Sequence, residues 1–386
     1  MRVALNAISF KPGTIGGMET SFRNLITAFT MLPGDMCCQL LGDSRYLAGL
    51  MPDDIRFELL PCNGFAPRSP GWLARGIIRN ITGVDLAARS MAQIRADLVH
   101  HPFSLLTPGA PCPSVVTIND LQHEFFPEFF SPWVLRKKRR EYRRAAEDSE
   151  GVITISNHVR QTLLEQYDLD PVKVTTVYLA ASPLFSRQGD AEQDRLLLRR
   201  YGVDRPFIFY PAATWPHKNH TTLLAAFRLL KDTTRFDGDL VLSGIAKQSS
   251  TAVRQEIERL KLADCVRMIG YFPMQDLPAF YRCAELLAFP SLFEGFGLPL
   301  LEAMACGCPV VCADATSLPE IAGGAALLFP PHDAIELALQ MQQVLGDSTL
   351  RKRLCRAGLE RAACFSWQRT ARETQAVYHA VLEGLG

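Results

Sequence analysis

The sequence predicts an α/β protein made of two Rossmann-like, doubly wound domains that face each other across a cleft. The chain has 386 residues, which is too long for one ordinary hydrophobic core and suits two. Short apolar runs alternate with longer amphipathic segments, and this alternation runs through both halves of the chain. Strand–helix alternation favours parallel sheets covered by helices, with ligands at the carboxyl ends of the strands. We therefore expect the functional residues in loops that directly follow strands.

The short apolar runs predict buried parallel strands, since they are bounded by polar segments. They are Val3–Ile8, Leu98–His101, Ser114–Ile118 and Val152–Ile155 in the first half, then Phe207–Pro211, Leu240–Ser243, Val266–Ile269, Leu286–Phe289 and Val310–Cys312. Apolar residues between them recur at helical spacing, as from Phe22 to Phe29 and from Leu277 to Tyr281.

A polar stretch, Pro183–Arg205, predicts the break between the domains. The first domain is expected to span residues 1–183 and the second residues 184–365. The last helix, within residues 366–386, has no strand after it. We therefore expect it to pack back on the first domain.

Composition limits the classes of function. The net charge is +1, so the molecule as a whole is not a polyanion binder, and nucleic-acid binding is not expected. The eleven cysteines contain no Cys-x-x-Cys pair, which favours small buried residues over metal ligands and a reducing compartment. No signal peptide and no apolar run of membrane-spanning length are found, so a cytoplasmic location is expected.

The strongest motif lies in residues 289–311, where a strand, a glycine-spaced loop and a helix follow one another. Its loop carries Glu294 and its helix carries Glu302. Glycines allow close backbone approach, so the amides of Phe296, Gly297 and Leu298 can hold phosphate at the helix N-terminus. The carboxylates can accept hydrogen bonds from sugar and ribose hydroxyls. The alternative is that the acids only complement the helix dipole. This explains Glu302 in part but does not explain Glu294.

This motif resembles the retaining glycosyltransferases of family 4, which have the two-domain GT-B fold. Their signature is a pair of glutamates separated by seven residues, as at Glu294 and Glu302. The resemblance implies that Glu294 faces the donor sugar and that Glu302 holds the ribose. It extends over nearly the whole chain, and it implies an acceptor-side first domain, a nucleotide-sugar-binding second domain and retention of anomeric configuration.

Two further loops match the family's phosphate contacts. Gly16 and Gly17 correspond to its paired glycines, although a plain turn and an anion-binding nest are equal readings of this loop alone. Lys218 is placed to neutralise the departing diphosphate, where the alternative is a solvated lysine. The family has an arginine near Thr214, so either this cationic contact is missing here or another basic residue, such as His217 or Lys247, replaces it.

Polar residues after the strand that ends at Ile118 are candidates for the acceptor side. The family's histidine position holds Asn119, which can bond a sugar hydroxyl but cannot act as a base. Asp120 and His123 are candidates for contacting or deprotonating the acceptor hydroxyl, with a solvated loop pair as the equal alternative. For His100 and His101, a hydrogen-bonded loop histidine is the favoured reading and a substrate contact the other.

Loops after the later strands are expected to meet the nucleotide base. Gly244 fits by position, and Tyr271 or Phe272 can pack on the base, with core packing as an equal reading. Ser317 and Glu320 have the spacing of a capping box and are read as structural, with an indirect role on the diphosphate side as the other reading.

No metal or cofactor is expected. The triplets Asp168–Asp170 and Asp237–Asp239 precede strand-like runs and are rich in turn residues, so they favour turns over a metal site. The run Arg136–Arg144 packs seven basic residues into nine. It predicts either an exposed helix or peripheral contact with an anionic membrane or a lipid-diphosphate acceptor.

The sequence thus predicts a metal-independent hexosyltransferase with Asp120, Lys218 and Glu294 as catalytic candidates. The expected donor is a GDP-sugar carrying mannose or a deoxyhexose. The expected acceptor is a saccharide or lipid-linked saccharide in polysaccharide or O-antigen synthesis. A UDP-sugar donor and a non-catalytic nucleotide-sugar-binding protein are the alternatives. A nucleotide-sugar epimerase would need a Gly-x-Gly-x-x-Gly loop, which strand one lacks, and a phosphorylase would need a cofactor lysine.

Overall fold

The computed structural model describes residues 1–13, 16–65, 69–82 and 85–384. The chain divides into two compact units. Unit 1 comprises Met1–Leu179 together with Trp367–Gly386, and unit 2 comprises Ala180–Ser366.

Unit 1 is built on a parallel sheet that has seven strands within the described residues, in the order β3-β2-β1-β4-β5-β6-β7. The strands are β1 (Arg2–Asn6), β2 (Cys37–Gly42), β3 (Phe57–Pro61), β4 (Leu98–His101), β5 (Ser114–Ile118), β6 (Gly151–Thr154) and β7 (Val174–Thr176). Strands β1, β4, β5 and β6 are almost wholly buried, as expected where helices cover both faces of a parallel sheet.

The strands of unit 1 are connected by helices. These are α1 (Gly17–Thr30), α2 (Ser44–Leu47), α3 (Pro70–Thr82), α4 (Ala88–Met91), α5 (Gln122–Phe125), α6 (Pro132–Asp148) and α7 (Asn157–Gln166). Helix α1 buries one face through Phe22, Leu25, Ile26 and Phe29, the residues whose spacing predicted it.

Unit 2, which the structure describes throughout, has a six-stranded parallel sheet in the order β10-β9-β8-β11-β12-β13. Its strands are β8 (Phe207–Pro211), β9 (Asp239–Ser243), β10 (Val266–Gly270), β11 (Leu286–Phe289), β12 (Val310–Ala313) and β13 (Leu327–Phe329). Its helices are α8 (Ala191–Arg200), α9 (His220–Thr233), α10 (Ser250–Arg259), α11 (Leu277–Cys283), α12 (Leu298–Ala305), α13 (Leu318–Ala322), α14 (Ala334–Gly346) and α15 (Ser348–Ala363).

The last helix, α16 (Trp367–Glu383), belongs to unit 1 although it follows unit 2 in the sequence. It packs on α1 and β6. Tyr378 is fully buried in this contact, and its hydroxyl lies 2.7 Å from Nδ1 of His100 at the end of β4.

The predicted α/β class with two parallel sheets is confirmed, and each strand predicted from an apolar run is present. The prediction omitted β2, β3, β7 and β13. Strands β7 and β13 have three residues each, too few to show a periodicity, and β3 is only partly buried. Within the described residues, none of the helices has both the length and the apolar character needed to cross a bilayer.

Candidate active site

The strand order of unit 2 reverses between β8 and β11, which are neighbours in the sheet but not in the sequence. In open α/β sheets, ligands bind outside the carboxyl ends of the strands at such a switch point. The loop after β8 carries Lys218, and the loop after β11 carries Glu294. The two strongest sequence motifs of unit 2 therefore meet at the point where the topology favours a ligand.

Lys218 and Glu294 form an ion pair across this switch point. Nζ of Lys218 donates to Oε1 of Glu294 at 2.5 Å. The side chains are 19% and 14% exposed, so both are partly shielded but still reach solvent. The ion pair places a cation, which can bind a phosphate, next to a carboxylate, which can accept a hydrogen bond from a hydroxyl.

The loop that carries Lys218 is fixed by hydrogen bonds on both sides. The hydroxyl of Tyr210, in β8, donates to the Lys218 carbonyl at 2.7 Å. Asn219 takes up the left-handed conformation with φ of 54°, and its side-chain amide donates to the carbonyls of Pro290 and Pro331. These bonds tie the lysine loop to the residue that follows β11, so the position of the cation is set by the fold.

The loop that carries Glu294 is held from the segment between β12 and α13. The Glu294 amide donates to the hydroxyl of Thr316 at 3.0 Å. The hydroxyl of Ser317 is 3.0 Å from each of the carbonyls of Glu294 and Phe296. The predicted capping role of Ser317 is wrong, because its side chain makes no cap bond to α13 and holds the glutamate loop instead.

Gly297 begins the helix α12 with φ of 99°, a conformation that favours glycine. A Cβ atom added there would lie 2.8 Å from Cδ2 of Leu318, so no larger residue fits without movement. This glycine aligns the backbone of Phe296 and Leu298 at the start of the helix, where their amides are predicted to hold phosphate. That role stays a prediction.

Glu302 lies in α12 and is only 6% exposed. Burial raises its pKa to about 7, and a hydrogen bond from the Tyr281 hydroxyl, at 3.0 Å, partly offsets that rise. Tyr281 is itself fully buried, and burial raises its pKa well above the usual value, so it acts as a neutral donor. The carboxyl of Glu302 is therefore poised to change charge near neutral pH.

A pocket of about 260 Å³ lies beside the loops after β8, β9 and β10. Gly244 and Tyr271 line it, and Tyr271 is 73% exposed. Phe272 is buried instead and stacks on Phe280 with ring centroids 4.6 Å apart. The structure thus separates the two aromatic candidates: Phe272 belongs to the core, and Tyr271 remains the candidate base contact.

Thr214, at the position of the family's arginine, is buried and organises the next loop. Its hydroxyl accepts from the Lys247 amide at 2.7 Å. The Lys247 ammonium lies 5.4 Å from the centre of the Trp215 ring, so it stays close to this loop as a cation. Burial lowers the pKa of His217 to about 3, which favours its neutral form, so Lys247 is the better candidate for the missing cation, and its role stays a prediction.

The sheet of unit 1 has the matching switch point between β1 and β4. Nδ2 of Asn6, at the end of β1, lies 2.8 Å from Nδ1 of His101, at the end of β4, and both residues are buried. Gly16 and Gly17 are exposed at the start of α1, with Gly16 at φ of 53°. Thr14 and Ile15 of the predicted glycine loop lie outside the described residues.

The predicted acceptor residues of unit 1 mostly serve the fold. The side-chain amide of Asn119 donates to the Pro102 carbonyl and to the Ser104 hydroxyl, so Oδ1 is the atom that could still accept from a sugar. Asp120 is half-buried and accepts from the Gln122 amide. Its catalytic role stays a prediction.

The structure does not support the predicted contact of His123 with the acceptor. Its side chain is 1% exposed and its ring packs against Tyr142 at 4.5 Å, so it cannot contact an acceptor in this structure. Burial lowers its pKa to about 4. His100 and His101 are also buried. Both ring nitrogens of His100 lie within hydrogen-bond distance of a partner, whereas His101 is bonded through Nδ1 and its buried Nε2 has no partner among the described residues.

Three acids of the two triplets have structural roles. Asp170 caps the turn Pro171–Lys173, and Asp237 and Asp239 pair with Arg205. Within the described residues, no cluster of three or more His, Cys, Asp or Glu side chains could hold a metal ion.

The basic run lies in α6, where Arg136, Arg139, Arg140, Arg143 and Arg144 are exposed or partly exposed. Arg139 pairs with Glu124 in α5, and Arg144 with Asp148 one turn later in α6. Part of the positive charge is therefore compensated within the protein.

The sequence patterns did not single out Asn219, Thr316, Ser317 and Tyr281 as the residues that hold the charged groups in place. Their signals in the sequence are weak. Asn219 directly follows Lys218, and asparagine is the residue that best tolerates a left-handed turn after glycine. The other three lie on elements whose contact with the motif arises only when the sheet forms.

Two family models match the chain. Glycosyltransferase Family 4 matches residues 15–182, and Glycosyl transferases group 1 matches residues 200–361. Together they cover both units.

Curated relatives point the same way. The chain is 30% identical to O-antigen chain mannosyltransferase B of Escherichia coli over 282 residues, which is 73% of this chain and 74% of that protein. It is 31% identical to the serotype-specific mannosyltransferase WbdA of Escherichia coli over 62% of this chain. That match spans only 29% of WbdA, less than a third of its length.

Solved structures share the fold. HepE of Anabaena, in complex with UDP and glucose, has a TM-score of 0.74 over 98% of this chain and all of that one, at 19% identity. Sucrose-phosphate synthase of Thermosynechococcus elongatus has a TM-score of 0.77 over the whole of both chains, also at 19% identity. The fold and the family matches define the class: the protein is a glycosyltransferase. It belongs to glycosyltransferase family 4.

Proposed function

We propose that the protein is a retaining mannosyltransferase that uses GDP-mannose and extends a saccharide or lipid-linked saccharide. The observation that carries this proposal is the Lys218–Glu294 ion pair at the switch point of unit 2, with the buried Glu302 on the adjoining helix. A cation and two carboxylates there match what a nucleotide-sugar presents: a diphosphate, a hexose and a ribose.

Each charged group takes one part of the donor. Lys218 neutralises the diphosphate and Glu294 accepts hydrogen bonds from the mannose hydroxyls. Glu302, when ionised, accepts from the ribose hydroxyls. Tyr271 packs on the base in the pocket beside Gly244. Gly16 and Gly17 stay predicted phosphate contacts.

The chemical step needs no protein nucleophile. The acceptor oxygen forms a bond to the anomeric carbon on the face from which the diphosphate departs. The bond from that carbon to the phosphate oxygen breaks, its electron pair stays on the phosphate, and the phosphate takes the acceptor's proton. Lys218 stabilises the charge that develops on the leaving group, which is where a fixed cation accelerates transfer.

The choice of mannose is supported by relatives with that activity in their names. These include O-antigen chain mannosyltransferase B and WbdA of Escherichia coli, and the MMP alpha-(1->4)-mannosyltransferase of Mycolicibacterium hassiacum. A UDP-sugar is the second candidate, since HepE was solved with UDP and glucose in a related fold. A non-catalytic nucleotide-sugar-binding protein is the remaining alternative.

The donor test is direct. Purified protein is titrated with GDP-mannose, GDP-fucose, UDP-glucose and UDP-galactose while its thermal midpoint is followed. GDP-mannose is expected to give the largest rise, and incubation with a mannoside acceptor is expected to release GDP and form an α-linked product visible by NMR. A larger rise with a UDP-sugar, or a β-linked product, would contradict the proposal.

A membrane-bound acceptor is consistent with two exposed surfaces of unit 1. Helix α3 presents Trp72, Leu73, Ile77 and Ile81 to solvent, and α6 presents the arginines described above. Apolar and basic groups together favour the surface of an anionic bilayer. Co-sedimentation with phosphatidylglycerol vesicles, but not with phosphatidylcholine vesicles, is expected and should weaken with salt. Equal binding to both kinds of vesicle would contradict an electrostatic contact with the membrane.

A further inference from the structure

The cation that is proposed to meet the diphosphate has an anionic partner within the protein. Nζ of Lys218 donates to Oε1 of Glu294 at 2.5 Å. The two side chains are 19% and 14% exposed, so solvent screens this attraction less than it screens an ion pair on the open surface. The charge that Lys218 offers to a phosphate is therefore partly neutralised by Glu294.

The backbone of each partner is held in place, so the two charged groups stay near each other. The Lys218 carbonyl accepts from the hydroxyl of Tyr210 at 2.7 Å. The Glu294 amide donates to the hydroxyl of Thr316 at 3.0 Å, and the Glu294 carbonyl accepts from the hydroxyl of Ser317 at 3.0 Å. Moving the two loops apart would break these bonds. A phosphate that binds Lys218 therefore comes close to the Glu294 carboxylate.

Two anions on one ammonium group repel each other. The ammonium has three N–H donors, so Lys218 can contact the Glu294 carboxylate and a phosphate oxygen at the same time. Since each such contact is about 3 Å long, the two anions then lie within about 6 Å of each other. Like charges at this distance disfavour each other, most of all where solvent access is reduced. Glu294 therefore lowers the affinity of Lys218 for any phosphate.

Transfer changes what the nucleotide offers to Glu294. The donor carries a hexose whose hydroxyl groups can donate hydrogen bonds to the carboxylate, and these bonds offset the repulsion. GDP has no hexose. Its terminal phosphate also carries more negative charge near neutral pH, because the proton gained in transfer is lost to water with a pKa of about 6. The product therefore meets the repulsion without the compensating hydrogen bonds.

We propose that Glu294 discriminates between donor and product: through its ion pair with Lys218 it weakens the binding of GDP, whereas the hexose hydroxyls keep GDP-mannose bound. The same carboxylate thus positions the sugar before transfer and favours release of the nucleotide after it. Product release limits turnover in many enzymes, so this discrimination serves the rate as well as the specificity. The inference deepens the proposed function and rests on it for the identity of the two ligands.

The test is calorimetric titration of the unmodified protein and of Glu294→Gln with GDP and with GDP-mannose, without acceptor. The glutamine has the same shape and can still accept hydrogen bonds from Lys218 and from a hydroxyl, but it carries no charge. Glu294→Gln should bind GDP about three- to tenfold more tightly, because the repulsion is removed. It should bind GDP-mannose no more tightly than the unmodified protein does, because the loss of charge-assisted hydrogen bonds offsets that gain.

A matched variant controls for the loss of one negative charge. Glu258→Gln removes a carboxylate from an exposed position of α10 and should leave both affinities unchanged. The unmodified protein provides a second measurement that does not depend on the folding of a variant. It should bind GDP-mannose more tightly than GDP, although GDP is the more highly charged ligand.

Unchanged or weaker binding of GDP by Glu294→Gln would overturn the inference, as would tighter binding of GDP than of GDP-mannose by the unmodified protein. An equal gain of GDP affinity in Glu258→Gln would overturn it too, since the effect would then belong to the net charge. The proposed function is tested separately by whether the unmodified protein binds GDP and GDP-mannose at all. Binding of both without the expected change in Glu294→Gln would contradict the inference alone.

Discussion

The two sheets reverse their strand order at matching places, but the polar pairs at the two switch points differ in kind. In unit 2, Lys218 and Glu294 are charged and partly exposed. In unit 1, Asn6 and His101 are buried, and burial lowers the pKa of His101 to about 3. An ion pair that reaches solvent is available to a ligand, whereas a neutral buried pair joins two strands. The comparison supports the proposal that the residues of unit 2 act on the donor.

The largest effect is expected from the cation of unit 2. Lys218→Met should lower kcat about 10²- to 10³-fold, which is the usual loss when one fixed group that stabilises a leaving anion is removed. Steady-state kinetics with GDP-mannose measures it. Lys352→Met, at an exposed lysine of α15, is the matched control and should keep the original rate. A Lys218→Met enzyme with unchanged kcat would remove the basis of the comparison.

Glu302 should control nucleotide affinity through its charge. Its pKa is raised to about 7, so the carboxyl is protonated below that pH and accepts fewer hydrogen bonds. Binding of GDP should therefore tighten as the pH rises from about 6 to about 8. Glu302→Gln should weaken GDP about tenfold at the alkaline end, because a charge-assisted hydrogen bond becomes a neutral one.

Calorimetric titration with GDP at each pH compares the unmodified protein with Glu302→Gln. It separates the effect of the Glu302 charge from that of the GDP phosphates, which titrate in the same range. The phosphate contribution is common to both proteins. If Glu302→Gln keeps the pH dependence of the unmodified protein in full, Glu302 does not hold the ribose.

Tyr281 should tune this titration without touching the ligand. Its hydroxyl donates to Glu302 and favours the ionised carboxylate. Tyr281→Phe should therefore move the midpoint of the GDP-affinity profile to higher pH, while affinity at the alkaline end stays near that of the unmodified protein. A uniform loss of affinity at every pH would indicate a structural role only.

Ser317 should have a smaller effect, confined to the glutamate loop. Ser317→Ala removes hydrogen bonds to the carbonyls of Glu294 and Phe296, and Ser317 is fully buried. We expect the free energy of unfolding to fall by about 1–2 kcal/mol and the KM for the donor to rise a few-fold. Ser348→Ala, at an exposed serine of α15, is the control.

The smallest effect is expected in unit 1, at His123. His123→Leu should leave kcat/KM within about twofold, because the buried ring does not reach an acceptor. Its depressed pKa of about 4 also predicts that His123 lowers the free energy of unfolding at acidic pH. In the unfolded chain the His123 ring binds a proton more readily than in the folded protein. The folded protein therefore keeps its full stability above a pH of about 6.5 and loses part of it as the pH falls towards about 4.

Thermal unfolding at neutral pH and at about pH 5 measures this difference. His123→Leu should lose less stability between the two pH values than the unmodified protein loses. A large fall in kcat/KM would instead return His123 to the acceptor site and weaken the contrast between the units.

Except for β2, the sequence predicted the strands that are buried on both faces, because a continuous apolar run is stable only where helices cover both sides of it. It also predicted Lys218 and Glu294, which the structure joins in an ion pair, since charged residues in loops after strands have no core to pack in. It was wrong about His123 and about the capping role of Ser317. In both cases the residue type fitted two roles, and burial or a distant partner decided between them.

The sequence by itself determined the class of fold, the position of the loops and the charges they carry, because these depend on local periodicity and residue chemistry. The tertiary structure alone decided which of those charges keep solvent contact and which neighbours hold them. Tyr281 meets Glu302 across 21 residues, and Thr316 meets Glu294 across 22. Such contacts depend on the register and order of the strands, which no local pattern in the chain encodes.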